Sequence, residues 1–327
     1  MTNLNSTGRV QAAAPEDVGS LPSKTAQPMR TIAPRARAFI PSQGIIPAQG
    51  SPPAEAAENG APAADVANGG EAAYVYALGR IEARFPSLAI EKEFAQATGR
   101  SETAGLTDRA ALQTVLTQRE QRYLARRMCW VLAIQSLDTY ILQPEDPADM
   151  DMLLGAIRPT VNPGDLDAVI GVRGPVAPPT MCNGLMVPLV VVSQIYSFER
   201  ATLLESIPKP EKMDDEEFGP ASEELFDRII QLVDNAGATD EHRALNYLAV
   251  RYPAIYAQAA ECFSRNCSLT SVEVRGSALS GTRRIVEVIF TYTNRQTDVA
   301  ERFFCRVDVT EEFPFLFSKL APFYERW

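Results

Sequence analysis

Five cysteines, one histidine and a scatter of aspartates are the side chains of this chain that bear on catalysis or metal binding. The histidine, His242, lies in the run Asp240-Glu241-His242. Three acid–base groups in a row suggest proton transfer. Consecutive helical residues point in different directions, however, and cannot converge on one substrate atom. The run reads instead as the first turn of a helix, capped by Thr239, with its carboxylates complementing the helix dipole. Any Ser–His–Asp or Cys–His nucleophile would have to be built around His242, because no other histidine exists. Cys129, Cys182, Cys262, Cys267 and Cys305 do not have the spacing of a disulfide framework and are expected to be buried, reduced thiols. No metal is expected. If one were held, Cys129, Cys182 and His242 are the set that could meet in space. Asp138, Asp149, Asp151, Asp165 and Asp167 fall in turn or cap contexts and form no calcium loop. There is no phosphate loop, no GxGxxG after a strand and no GxSxG elbow, so no cofactor and no catalytic residue is assigned.

The polar segment with more to offer is Arg173–Gly184, RGPVAPPTMCNG. Its prolines predict a stiff, extended loop whose carbonyls and Asn183 are free to pair outward. The next apolar run, Leu185–Phe198, reads as a strand that Pro188 demotes to an edge or a bulge. An edge beside a rigid loop is a template on which an extended peptide adds a strand. Arg173 and Asn183, with Arg243 and Arg251 supplying guanidinium groups, are therefore the expected peptide-binding residues.

The elements that must carry these residues follow from periodicity. Tyr74–Phe85 reads as a strand, and Leu88–Thr98 as a short helix capped by Ser87 and closed by Gly99. Thr107 is a further cap. Leu124, Met128, Val131 and Ile134 recur at helical spacing, which predicts an amphipathic helix over Leu112–Ile134 with Arg119, Arg122 and Arg126 on another face. Asp165–Val172 is a strand candidate. Pro208–Pro220 is an acidic connector, and Ser222 caps a helix to about residue 233. The stripe Leu245, Leu248, Ala249 and Tyr252 marks the most regular helix, interrupted at Pro253. Period two then takes over in Ser271–Arg275, Arg284–Asn294 and Glu301–Val309, an antiparallel meander followed by an aromatic helix over Phe313–Phe323. The fold class is α+β: helices packed with a C-terminal antiparallel β-meander.

Ahead of it, residues 1–73 are rich in Ala, Pro, Gly and Ser, and Phe39 is their only aromatic. Such a stretch buries too little apolar surface to offset its ordering entropy, so a disordered tail and linker precede one domain at 74–327. Ile40, Ile45 and Ile46 give the tail one apolar phrase that suits either docking on a partner or a plain linker. With 41 acidic against 31 basic residues the net charge is −10, which argues against nucleic-acid binding. No apolar run is long enough to span a bilayer and no secretory signal opens the chain, so a cytoplasmic location is expected.

Four blocks carry a further signal: YALGRIEARFPSLAIEKEF, LDAVIGVRGPVAPPTMCNGLMVP, DNAGATDEHRALNYLAVRYPAIY and VEVIFTYTNRQTDVAERFFCRVDVTEEFPF. Together they resemble the C-terminal domain of the cyanobactin maturation proteases, the PatA/PatG proteins, across nearly all of 74–327. In those proteins the domain follows a subtilisin-like protease and has no assigned function. One histidine cannot furnish that protease here, so its activity is not carried over. The resemblance implies a non-catalytic accessory or binding domain in the maturation of ribosomally made peptides, with a precursor peptide or a processing enzyme as partner. A small metal-dependent or hydrolytic enzyme, and a structural homodimerisation module, are the alternatives.

Overall fold

The computed structural model describes residues 73–100, 108–160, 162–207, 215–232 and 234–324. The expected tail up to residue 72, its Ile40–Ile46 phrase, the Thr107 cap and the first half of the acidic connector lie outside the described residues.

Five strands close into a barrel. β1 (Tyr74–Arg84) pairs antiparallel with β2 (Cys129–Ile134) on one side and β4 (Asp165–Val176) on the other. β2 turns into β3 (Leu137–Gln143), β3 runs parallel to β5 (Pro188–Glu199), and β5 pairs antiparallel with β4. Closure leaves no strand with a free edge. The interior is filled by Val75, Ile81, Trp130, Leu132, Val169 and Val190. The same core takes in Ile90 and Phe94 of α1 (Leu88–Arg100), Leu116 of α2 (Asp108–Thr117), Leu124 of α3 (Arg122–Arg127) and Leu153 of α4 (Pro147–Ala156). Asp146 starts α4 with a capping box: it accepts from the backbone N–H groups of Ala148 and Asp149, while the Asp149 carboxylate accepts from the N–H of Asp146.

The second layer is α5 (Arg200–Glu205), α6 (Asp215–Ile230), α7 (Asp240–Arg251), α8 (Ala254–Ser264) and the four-stranded meander β6 (Cys267–Gly276), β7 (Ile285–Asn294), β8 (Ala300–Asp308) and β9 (Phe315–Pro322). Its core joins the outer barrel face (Tyr76, Leu78, Ala168, Ile170) to Phe226, Leu245, Leu248 and Ile255 of the helices, and to Val286, Val288, Phe290 and Tyr292 of β7. These four β7 residues alternate along the strand and so share one of its faces, and the other face is buried too. The opposite face of β7 buries Glu287, which accepts from Arg275 at 2.9 Å and pairs with Arg306 at 2.7 Å. Among the described residues no helix is long and apolar enough to cross a membrane.

Several expectations are corrected. The helix over Leu112–Ile134 is α2, a single 3-10 turn at Arg119–Gln121, α3 and then β2. Cys129–Ile134 is buried on both faces, so its apolar residues fit a helical and a strand template equally well. Gln135 and Ser136, both at positive φ, then close the β2–β3 hairpin. α1 continues through Gly99 rather than ending there. Ser222 is a fully buried residue inside α6, which begins at Asp215, within the expected connector. The C-terminal aromatic segment is a fourth meander strand, β9, and not a helix.

Candidate functional site

Arg173–Gly184 is not all loop. Arg173, Gly174, Pro175 and Val176 extend β4, where Arg173 lies opposite Val190 and its N–H donates to the Ala73 carbonyl at 2.7 Å. Eleven residues, Ala177–Val187, then leave the barrel as a strap whose base is closed by the Ala177 N–H donating to the Val187 carbonyl at 2.9 Å. Pro178 and Pro179 lead into a turn that the Met181 N–H closes on the Pro178 carbonyl at 3.0 Å. Asn183 (φ 50°) and Gly184 (φ 88°) turn it in the left-handed region that asparagine and glycine tolerate. Ala177 and Cys182 are buried, and with partly exposed Met181, Leu185 and Val187 they cover Cys129, Val131 and Ile141 on the outer barrel wall.

Cys182 is bonded to Cys129 of β2 as a disulfide, with Cα atoms 5.8 Å apart. The expectation of five reduced thiols is therefore overturned for two of them; Cys262, Cys267 and Cys305 are free and buried. The contingent metal set falls with it. Cys129 and Cys182 have spent their sulfurs on each other, and His242 sits on α7. Among the described residues no cluster of three His, Cys, Asp or Glu is placed to hold a metal.

Beside the disulfide lies a cavity of about 500 Å³, lined by Arg84, Phe85, Glu91, Cys129, Cys182, Asn183 and Leu185 among others. Arg84 ends β1 and donates to Glu82 at 3.0 Å and to Asp138. Partial burial pulls its guanidinium down, but the two carboxylates outweigh this and hold it above its ordinary value. Glu91 stands exposed in the first turn of α1. The cavity thus offers an exposed primary amide, a compensated cation, a carboxylate and an apolar wall. Such a set can pair with amide groups and receive side chains.

The four expected peptide-binding residues do not come together. Arg173 and Asn183 are exposed, at the root of the strap and at its turn. Arg243 is buried, 1% exposed, with its guanidinium donating to the carbonyls of Val309 at 2.8 Å, Glu312 at 3.3 Å and Glu311. Arg251 is exposed but stacks 4.2 Å from the ring centroid of Tyr196, which packs on the α7 core rather than under the strap. β5 is bonded to β4 and β3 inside the closed barrel, so strand addition at Pro188 is excluded; Pro188 merely begins the strand. His242 takes its place in the helix start, its N–H donating to the capping Thr239 hydroxyl at 3.2 Å. Of the aspartates, Asp149 and Asp165 do serve a cap and a turn, whereas Asp167 is buried in mid-strand, accepting from the Ser197 hydroxyl at 2.6 Å and the Ile81 N–H at 2.8 Å. Burial pushes its carboxyl up, against the pull of those two bonds. Arg84, Glu91 and the disulfide escaped the sequence reading. Cysteines 53 positions apart carry no pairing signal of their own.

A closed barrel backed by helices and a meander is the fold of a solved structure described as the PatG domain of unknown function: TM-score 0.63, 19% identity, covering 76% of this chain and 98% of that one. Residues 212–323, from α6 through the end of the meander, match the PatG C-terminal family, and the chain contains a PatG C-terminal domain. No curated protein matches the chain.

Proposed function

We propose that this chain is an accessory binding module for ribosomally made peptides undergoing maturation, and that it holds an extended peptide, rather than a processing enzyme, along the strap and in the cavity beside it. The observation that carries the reading is the PatG C-terminal match over 212–323. The strap supports the peptide as occupant. Asn183 presents an exposed amide to the cavity, which Arg84 also lines and which can accept a side chain, and Arg173 is exposed at the root of the strap. No strand addition is involved. Recognition rests on side-chain amide pairing and charge-assisted bonds to an acidic segment. Binding is expected at roughly micromolar affinity, because a flexible peptide loses entropy on ordering, and it should weaken with salt.

Calorimetric titration of the full chain with synthetic precursor peptides tests this. The expected result is saturable binding that Asn183→Ala and Arg173→Ala each weaken while Arg251→Ala leaves it unchanged. Equal binding by all variants would move the site elsewhere. Binding of no peptide would remove the reading.

A further inference from the structure

We propose that the Cys129–Cys182 disulfide is a redox latch: its two-electron reduction by a dithiol frees the strap Ala177–Val187 from the barrel wall and opens the cavity beside it. The inference stands apart from the identity of whatever the cavity holds.

Three observations carry it. First, both cysteines line the cavity, so an incoming thiolate has a route to the sulfurs without unfolding of the barrel. Second, little else ties the strap down. Its backbone hydrogen bonds run within it: the base at Ala177 and Val187, Met181 N–H to the Pro178 carbonyl at 3.0 Å, and Leu185 N–H to the Cys182 carbonyl at 3.0 Å. Among the described residues no backbone–backbone bond crosses from 178–186 to a barrel strand, and two of these positions are prolines without a donor. The Met181 carbonyl only lies 3.8 Å from the Cys129 sulfur, which has no hydrogen to donate while in the disulfide. The strap is thus held by the cross-link and by a small apolar cluster, separate from the barrel interior and from the α7 core. Segments with few buried contacts and no ladder to their neighbours are the first to open locally. Third, the cross-link is the only covalent tie between the strap and β2, and it closes a sequence separation of 53 residues. Breaking it returns that constraint to the strap as freedom of movement.

The chemistry balances. One thiolate of the dithiol attacks a cysteine sulfur, forming a mixed disulfide and expelling the other cysteine as a thiolate. The second thiol of the reductant then attacks the mixed disulfide and leaves as the oxidised, cyclic or intramolecular disulfide. Two electrons pass to the protein, and the two protons shed by the dithiol end on Cys129 and Cys182. Cys262, Cys267 and Cys305 are buried in the second layer and take no part.

The test uses the intact chain purified without reductant, then treated with dithiothreitol in the absence of denaturant. Alkylation read by mass spectrometry should label Cys129 and Cys182 after treatment and leave the other three cysteines blocked. Hydrogen exchange over 180–187 should accelerate about tenfold or more, while β1 and β4 keep their protection. Cys182→Ser should show the fast strap without reductant; if that variant fails to fold, the reduced natural chain alone decides. Free Cys129 and Cys182 in the untreated protein would overturn the latch. So would reduction that requires denaturant, or a fully reduced protein whose strap exchanges no faster.

Discussion

Arg243 shows how a charged residue that looks available in sequence is consumed by the fold. It lies one residue after the helix-starting run and reads as part of a basic surface, yet its guanidinium reaches the carbonyls of Val309, Glu311 and Glu312 where the chain passes from β8 to β9. Nothing local announces this, because the acceptors are main-chain atoms more than sixty positions away. A forked, planar donor is needed to reach several carbonyls at once. Arg243→Lys should therefore cost about 2 kcal/mol of stability in denaturant unfolding even though charge is kept, since buried acceptors lose their partners. His242 makes a second prediction at this scale. Burial lowers its pKa below the ordinary value of 6.5, outweighing the pull of Glu241 and Asp234, and its buried Nδ1 has no hydrogen-bond partner among the described residues. The unfolded chain thus binds this proton more readily than the folded one. The stability contribution is complete above about pH 6.5 and is lost as pH falls through the lower folded value. Melting of natural chain and His242→Gln across pH 5 to 8 should show the variant losing less stability on the acid side. Equal slopes would contradict the burial argument.

At the scale of elements, what was legible followed local rules. β1, the Thr239 cap, α7 and three strands of the meander lie where periodicity and capping place them, because each is specified within its own residues. The failures occurred where two local patterns coincide or where the decision is tertiary. Leu124, Met128, Val131 and Ile134 are all buried as a helical stripe would be, but the last two belong to a strand, and only barrel closure selects that outcome. Pro188 signals an edge in an open sheet and means a strand start in a closed one. β9 is rich in aromatics, and its outward N–H groups at Leu316 and Leu320 are met by the hydroxyls of Tyr247 and Tyr252, which a sequence does not place there. Of the candidate site, Arg173 and Asn183 could be read from the proline-rich segment. The disulfide and Arg84 could not, since distant strands bring them together. The β2–β3 turn offers a direct check. Ser136 sits at φ 67° in the left-handed region, which is costly for a residue with a Cβ. Ser136→Gly should raise stability by roughly 0.5 kcal/mol after the added unfolded-state entropy is counted, and Ser136→Val should lower it.

The described residues form two layers around one connecting helix. Leu245, Leu248 and Ala249 of α7 are buried in a core that includes Tyr76 and Ile170 of the barrel and Val288 and Cys305 of the meander. Asn246, fully buried on the same helix, donates to the Tyr76 carbonyl at 2.8 Å and exchanges hydrogen bonds with Asn235 at 2.8 and 3.1 Å. Each layer would expose one wall of this core if the other unfolded, and the cost of that exposure falls on both. We therefore expect 74–327 to unfold as one cooperative unit, as shared burial requires. The two layers carry separate reporters: Trp130 lies in the barrel interior, and Cys305 is buried on β8 of the meander. In a Trp327→Phe background, loss of Trp130 fluorescence and exposure of the Cys305 thiol should follow the same denaturant midpoint. Leu248→Ala should move both midpoints down together, by about 3 kcal/mol in free energy for a fully buried leucine. Two separated transitions, or a Leu248→Ala shift confined to one reporter, would show instead that the barrel and the meander fold as independent domains and that α7 merely lies between them.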